Sequence, residues 1–471
     1  MPISLSRCLN REATVAKPGY SRWLVPPAAI AVHMCIGQVY AFSVFNKPLA
    51  GELGVPVSSV QWAYAIALVM LGLSAAVFGK WVERSGPRKT MVASWMCFCG
   101  GLLLTALGVQ FKSLPLILFG YGFIGGIGLG LGYISPVSTL VKWFPDRPGM
   151  ATGMAIMGFG GGALIGSPLA QELMAHFKRS IDPAVAMDPT INLANLPAPS
   201  TGAQEALMVM AGIYTVFMIF GALLVRVPAA GWKPDGWVPK TNGGRMITTA
   251  SVAVDTAWKT PQFWFLWVVL CMNVSAGIGV LGRASDMFQD MFYGAAASEA
   301  QKVANAAIGA GFAGLLSIFN LGGRFVWSSV SDRTGRKQVY CIYFILGALL
   351  YALLPWAQQT QNKVLFICLT AVIISMYGGG FATVPAYLKD MFGTYQVGAI
   401  HGRLITSWSM AAVIGPLLIN GLYDRRVAAG VPKAEAYNDT FYLMCGLLAV
   451  GLIANLLVRP VDSSHHEKTA G

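Results

Sequence analysis

The sequence predicts an all-α polytopic membrane protein, with twelve membrane-spanning helices arranged as two parallel six-helix repeats. Three observations carry this reading. Hydrophobic residues make up 55% and charged residues only 11%, against roughly 25% charged in an ordinary soluble domain. Apolar runs return about every thirty to forty residues, each near the roughly 20 residues that cross a bilayer core. One constant offset of 249 lays the second half on the first: Glu83 on Asp332, Arg84 on Arg333, Gly86 on Gly335, Pro136 on Pro385, Gly149 on Gly398, Gly153 on Gly402 and Gly166 on Gly415. Glycine is abundant, 54 residues in 471, but abundance does not explain acidic and proline positions that keep the same shift.

Taken in order, residues 1–22 form a polar N-terminal segment carrying Arg7, Arg11, Lys17 and Arg22. The run Trp23–Phe45 exceeds a signal-peptide core and has no convincing cleavage site, so it is read as span one. Spans two and three cover about 58–80 and 90–110, parted by the polar stretch Gly79–Lys89. Spans four and five cover about 115–142 and 149–174. Pro145 and Pro148 between them cannot sit inside a helix, so the chain turns there. Gly158, Gly162 and Gly166 recur every four residues and bare one face of span five to a neighbouring helix. Residues 175–204 read as an external loop whose role the sequence does not reveal, and span six covers about 205–227. Pro234, Pro239 and Gly243-Gly244 mark 228–258 as the linker between halves. Spans seven to twelve follow at about 262–290, 304–328, 338–358, 363–388, 397–422 and 438–458. The expected organisation is a cytoplasmic segment 1–22, a six-helix half 23–227, a cytoplasmic linker 228–258, a second half 259–458 and a tail 459–471.

Charge sets the expected orientation. One side of the membrane collects 21 Lys and Arg and the other nine, and basic loops stay cytoplasmic. Both termini are therefore expected in the cytoplasm, in a bacterial inner membrane. The net charge of +13 is then topology, with some attraction to anionic lipid. Nucleic acid is excluded as a partner because no basic cluster sits on a soluble domain able to present it. The eight cysteines mostly fall inside apolar runs and suggest neither a disulfide framework nor a zinc site. No metal-binding His pair, nucleophile elbow or phosphate loop is present, so neither a cofactor nor an enzyme is expected, and no obligate protein partner is inferred.

Ionisable residues at membrane depth are expensive and are functional candidates by default. Arg324 lies eight residues from Asp332, about 12 Å along a helix of 1.5 Å rise. Its guanidinium cannot shed its proton and presents a fork of donors matched to a carboxylate. The alternative is a structural arginine held by helix carbonyls or by Asn320, one turn away. Gln38, Tyr40, Tyr133 and Tyr377 are cavity-lining candidates, with interhelical packing or interface placement as the alternative. Arg283 and Asp286, one turn apart, are candidates for an outer gate or a local ion pair. His33 and His401 can titrate near neutrality, although a lone histidine in a span is more often simply hydrogen-bonded.

Two sets of residues carry a family resemblance. Gly79-x-x-x-Glu83-Arg84-x-Gly86-x-Arg88-Lys89 and its echo Asp332-Arg-Thr-Gly-Arg-Lys337 resemble the loops of the major facilitator superfamily, with Glu83 in place of the usual Asp and Ser328 where Gly is usual. Val39-Tyr-Ala-Phe-Ser-Val-Phe45 and Lys142-Trp-Phe-Pro-Asp-Arg-Pro-Gly-Met-Ala-Thr-Gly153 resemble its oxalate/formate antiporter family, related to the monocarboxylate porters. The resemblance implies the major facilitator fold with substrate bound between the halves. It implies gating by Glu83, Arg84, Asp332 and Arg333, the two acids facing the helix starts near Gly398 and Gly149 respectively. A carboxylate against a helix N-terminus is worth about 0.3–1 kcal/mol when exposed and up to roughly 2 when partly buried; the alternative is a plain turn with solvated charges.

Arg324 matches the arginine by which that family holds a substrate carboxylate. Elsewhere the match breaks. Trp408 stands where the oxalate carrier has a lysine, and Arg403, five residues earlier, is about 140° around the helix. Asn320 stands where the monocarboxylate porters have an acid. His401 and Arg403 remain candidates for proton or anion coupling. The expected function is alternating-access transport of small monocarboxylates such as pyruvate, lactate or formate, as exchanger or proton symporter, with Trp408 and Asn320 beside Arg324 in the site. An oxalate or other dicarboxylate antiporter is the alternative, and a membrane receptor or structural protein the alternative of a different class.

Overall fold

The computed structural model describes residues 8–179, 199–238, 246–248, 250–294 and 298–467. Among the described residues, twelve helices are long and apolar enough to cross a membrane: span one Arg22–Ala41, two Val57–Ser85, three Pro87–Gln110, four Leu114–Trp143, five Pro148–Phe177, six Ala203–Leu224, seven Pro261–Phe292, eight Ala307–Thr334, nine Arg336–Gln359, ten Lys363–Phe392, eleven Val397–Ala428 and twelve Lys433–Leu457. Among the described residues there is no strand, only the isolated bridges Val15↔Val227 and Arg179↔Ser200. An even number of crossings places residues 8–21 and 458–467 on one face, called here the terminal face, opposite a far face. Arg7, residues 180–198 of the long loop, the linker's Pro239, Gly243 and Gly244, and the last four residues lie outside the described residues.

Helix ends follow local chemistry. Pro148 and Pro87 open spans five and three at positions where a missing N–H costs nothing. Thr260 Oγ1 accepts from Phe263 N–H at the start of span seven. Gly86 and Gly335, partners in the repeat, end spans two and eight with φ of +84° and +93°, a region glycine enters without steric cost. Both helices run past the expected ends at 80 and 328. The apolar run stops at the first charges, whereas backbone hydrogen bonding continues to the glycine, so Glu83, Arg84, Asp332 and Arg333 all sit in final helical turns.

The expected glycine face on span five is occupied by span one. A Cβ on Gly162 would come 2.4 Å from the Gly37 carbonyl carbon, and one on Gly158 3.1 Å from the Ile30 carbonyl oxygen. Three spans read as single helices are interrupted. Span one passes from α-helix (Val25–Ile36) to a 3₁₀ turn (Gly37–Ala41), then leads into a further helix, Ser43–Leu53. Span four carries a π segment over the glycine-rich Leu118–Gly125, and span eleven breaks at Ile405. Hydrophobic patterning is blind to such breaks because the run stays apolar throughout.

Candidate functional site

Where the two repeats meet at the terminal face, each contributes one carboxylate to the other. Asp332 accepts from the Gly149 and Met150 N–H groups at 2.9 and 2.8 Å, at the start of span five. Glu83 accepts from the Gly398 N–H at 3.0 Å, at the start of span eleven. Each acid is steadied by a cation of its own repeat: Glu83 by Lys142 of span four, Asp332 by Arg336 at 2.6 Å, which also holds Asp390 at 3.1 Å. The expected partners Arg84 and Arg333 are not part of this arrangement. Both are exposed, because they lie on the outward side of the same helical turns. Lys142, Arg336 and Asp390 went unassigned in the sequence, as only folding brings spans four, nine and ten to these acids.

At middle depth lies a buried aromatic cage. Trp408 is the hub, with its ring centroid 6.3 Å from Tyr40, 5.7 Å from Tyr133, 5.4 Å from Phe159 and 4.7 Å from Phe381. Tyr377 packs on Phe381 at 5.3 Å. Arg324, fully buried, places its guanidinium carbon 5.2 Å from the Phe381 ring and 5.9 Å from that of Phe159. Its Nε donates to Asn320 Oδ1 at 3.1 Å and its Nη1 to the Ile156 carbonyl at 3.3 Å. No well-formed hydrogen bond reaches its Nη2, the Tyr133 hydroxyl or the Trp408 indole nitrogen, and the Tyr40 hydroxyl faces both Arg324 and the Tyr377 hydroxyl. Among the described residues no carboxylate pairs with Arg324. Gly160 and Gly378 make room for it: a Cβ on the first would lie 2.7 Å from its Nε, on the second 3.1 Å from its Cγ.

The structure thus gathers Arg324, Asn320, Tyr40, Tyr133, Tyr377 and Trp408 in one place. Phe159 and Phe381 were not singled out in the sequence. A signal for Phe159 existed, since the offset of 249 relates it to Trp408, and the pair meets edge-on between the repeats.

Other candidates fall elsewhere. Gln38 accepts from Tyr121 at 3.3 Å and packs beneath Gly166. It sits two residues from Tyr40 in a 3₁₀ turn, which points it into the first repeat instead of the cage. The two ring nitrogens of His33 face the carbonyls of Ala29 and Tyr133 at 3.1 and 3.2 Å, the hydrogen-bonded alternative. His401 is buried with both ring nitrogens unpartnered, its ring 5.8 Å from that of Tyr133. Arg403 leaves the cage altogether: it donates to the Val254 carbonyl at 2.9 Å and pairs with Asp255 at 2.7 Å, both in the connecting segment. Arg283 does not pair with Asp286, which is exposed. It bonds Asn420 at 2.7 Å, approaches Asp424 at 3.7 Å and lies over the Tyr423 ring, all on span eleven.

Among the described residues, the side-chain hydrogen bonds joining the repeats lie at the depth of the cage or nearer the terminal face. Besides those of Asp332, Glu83 and Arg324, Thr152 donates to the Ala382 carbonyl at 2.7 Å and Ser409 to the Leu68 carbonyl at 2.9 Å. The seams there are packed on glycine, with a Cβ on Gly402 reaching within 2.2 Å of the Ala75 carbonyl oxygen. The structure is therefore sealed at the terminal face.

Residues 28–290 and 279–471 each match the family model of the Major Facilitator Superfamily. The chain belongs to the Major Facilitator Superfamily. This transporter is 27% identical to the oxalate:formate antiporter of Oxalobacter formigenes, over 84% of its own length and 83% of the relative's. It is 26% identical to apicoplast pyruvate carrier 1 of Toxoplasma gondii, over 88% of its length and 86% of the carrier's. The crystal structure of the superfamily transporter FucP in the outward conformation superposes with a TM-score of 0.64 at 14% identity, covering 93% of this transporter and 100% of that chain. At that identity the likeness speaks for the fold alone.

Proposed function

We propose that this transporter carries small monocarboxylates across a bacterial cytoplasmic membrane by alternating access, with the anion bound in the cage and anchored on Arg324. The reading rests above all on one observation: among the described residues a fully buried guanidinium has no carboxylate partner, and the polar groups around it are tyrosine hydroxyls and an indole nitrogen. Buried polar groups in proteins are nearly always paired, and an uncompensated buried charge is costly. A carboxylate supplies both the counter-charge and the acceptor oxygens. A single cation suits one carboxylate better than two, and the aromatic rings suit a short apolar remainder. The relatives named for oxalate:formate exchange and pyruvate carriage support this substrate class.

The transport mode follows from the same charge. Reorienting empty would seal an unpaired guanidinium away from water, whereas reorienting loaded seals a neutral pair, so the cycle runs as exchange. In this reading the termini and the connecting segment 228–258 are cytoplasmic, residues 23–227 and 259–458 rock as two bodies, and Glu83 and Asp332 latch the cytoplasmic face. The test is counterflow in proteoliposomes loaded with pyruvate, lactate, formate or oxalate, comparing the native protein with Arg324→Gln. Labelled monocarboxylate accumulating in the native protein and not in the variant, with the variant still monodisperse, supports the reading. Exchange of oxalate alone would replace the monocarboxylate with a dicarboxylate. Undiminished exchange by the variant would make Arg324 structural and remove the assignment.

A further inference from the structure

The connecting segment carries a contact that neither repeat can make by itself. Thr248 and residues 250–258 lie against the second repeat: Thr248 and Val252 N–H groups donate to the carbonyls of Asp390 and Phe392 at 2.8 and 2.9 Å, and Val254 N–H donates to Gln396 Oε1 at 2.9 Å. On the short helix Val254–Ala257, Asp255 holds Arg403 of span eleven through one oxygen at 2.7 Å and Lys80 of span two through the other. Arg403 is fixed further by the Val254 carbonyl and by the Trp258 ring, 5.2 Å away. Lys80 has no such second tie to the segment among the described residues. The Asp255–Arg403 pair thus belongs to the second repeat's side, and the Lys80 bond ties it to the first repeat.

The placement breaks the internal symmetry. Lys80 and Arg403 correspond through the offset of 249 to Ser329 and Met154, so the seam between spans five and eight has no cations at the matching positions. That seam is closed by Asp332 on two N–H groups, whereas Glu83 closes the seam of spans two and eleven on one. The extra cations occur only on the seam with fewer latch bonds, and only where the connecting segment passes.

We propose that Asp255 is a detachable clamp: through Lys80 it holds the seam of spans two and eleven closed, and its strength sets how often the terminal face opens. The clamp rests on the alternating-access reading of the two repeats and is independent of which anion is carried. Its test uses full-length protein in liposomes without substrate, in a background lacking the eight native cysteines. The readout is alkylation by N-ethylmaleimide of Ser138→Cys, a buried position packed against Gly398 in the seam. One exposed ion pair is worth at most about 1 kcal/mol, so Asp255→Asn and Lys80→Met are each expected to speed alkylation about two- to fivefold. Combining them is expected to add nothing further, because both remove the same cross-seam bond, and the Arg403 pair that Asp255→Asn also removes lies on the second repeat's side alone. In roughly 1 M salt, where screening acts within about 3 Å, the native rate rises to that of the variants. An unchanged rate in Asp255→Asn, multiplying effects in the double variant, or a native rate insensitive to salt would each overturn the clamp.

Discussion

Replacing Asp332 with Asn tests the terminal-face latch with the least change of shape. The carboxylate is only 12% exposed and accepts two cross-repeat bonds, from Gly149 and Met150, at 2.9 and 2.8 Å. Asparagine keeps one acceptor oxygen and turns an NH₂ towards the second N–H, so one bond is lost and the other loses its charge. Hydrogen bonds to charged groups are worth about 1.5–3 kcal/mol against about 1 for neutral ones, and a partly buried carboxylate at a helix N-terminus up to about 2. The expected loss is about 2–4 kcal/mol, a shift of roughly 30- to 1000-fold towards the state open at the terminal face. Glu83 makes one such bond, at 3.0 Å, so Glu83→Gln is expected to cost about half as much. Spin labels at Arg84→Cys and Arg333→Cys suit the assay, being exposed and on opposite repeats. Electron–electron distance measurements should give one short population in the native protein, a dominant longer one in Asp332→Asn and a mixture in Glu83→Gln. An unchanged distribution in Asp332→Asn, or a larger shift in Glu83→Gln, would refute the reasoning.

Further outcomes follow from the same geometry. Gly160→Ala presses a methyl within 2.7 Å of Arg324 Nε; half-saturation in counterflow should rise about tenfold, the worth of one charge-assisted bond, with thermal stability unchanged. Gly162→Ala meets backbone at 2.4 Å and should lower the melting temperature in detergent by the effect of about 1–3 kcal/mol of overpacking. Gly212→Ala, which meets nothing within 4 Å, should leave it unchanged or raise it. Lys80 foremost, then Arg403, hold the Asp255 carboxyl below the usual carboxylate range. Closure through the clamp is thus fully present above about pH 4, the carboxyl's free value, and is lost only as pH falls through the lowered one. The ratio of Ser138→Cys alkylation rates between Asp255→Asn and the otherwise native background should stay flat from about pH 5 to 8, while both rates rise with the thiolate fraction. Exchange needs no titrating group, so counterflow should hold its rate between about pH 6 and 8 in the native protein and in His401→Gln alike. A native rate that falls with rising pH, and stays flat in the variant, would move the carrier to proton coupling through His401.

Much of the latch and part of the cage can be read before any coordinates. Acids spaced by the repeat offset, each followed three residues later by glycine, place Glu83 and Asp332 at helix ends, and the family resemblance supplies the helix starts that they face. A lone arginine deep in an apolar run marks Arg324 because lipid tolerates no idle charge there. Arg84 and Arg333 mislead because a motif records neighbours in sequence, while helical rotation sends those side chains outward. Gln38 misleads similarly: a 3₁₀ turn instead of an α-turn changes which face it shares with Tyr40.

Span number, repeat and the depth of each charge are local or periodic properties, legible because hydrophobicity and chain length act residue by residue along the membrane normal. The tertiary structure alone decided what those charges meet. It joined Phe159 and Phe381 to Trp408 in one cage and left Arg324 without an acid. It gave Glu83 and Asp332 their cations from other spans, and it took Arg403 out of the site to meet Asp255. Those choices depend on the rotation of each helix about its own axis and on where glycine lets two backbones touch. Neither is written in the pattern of any one span.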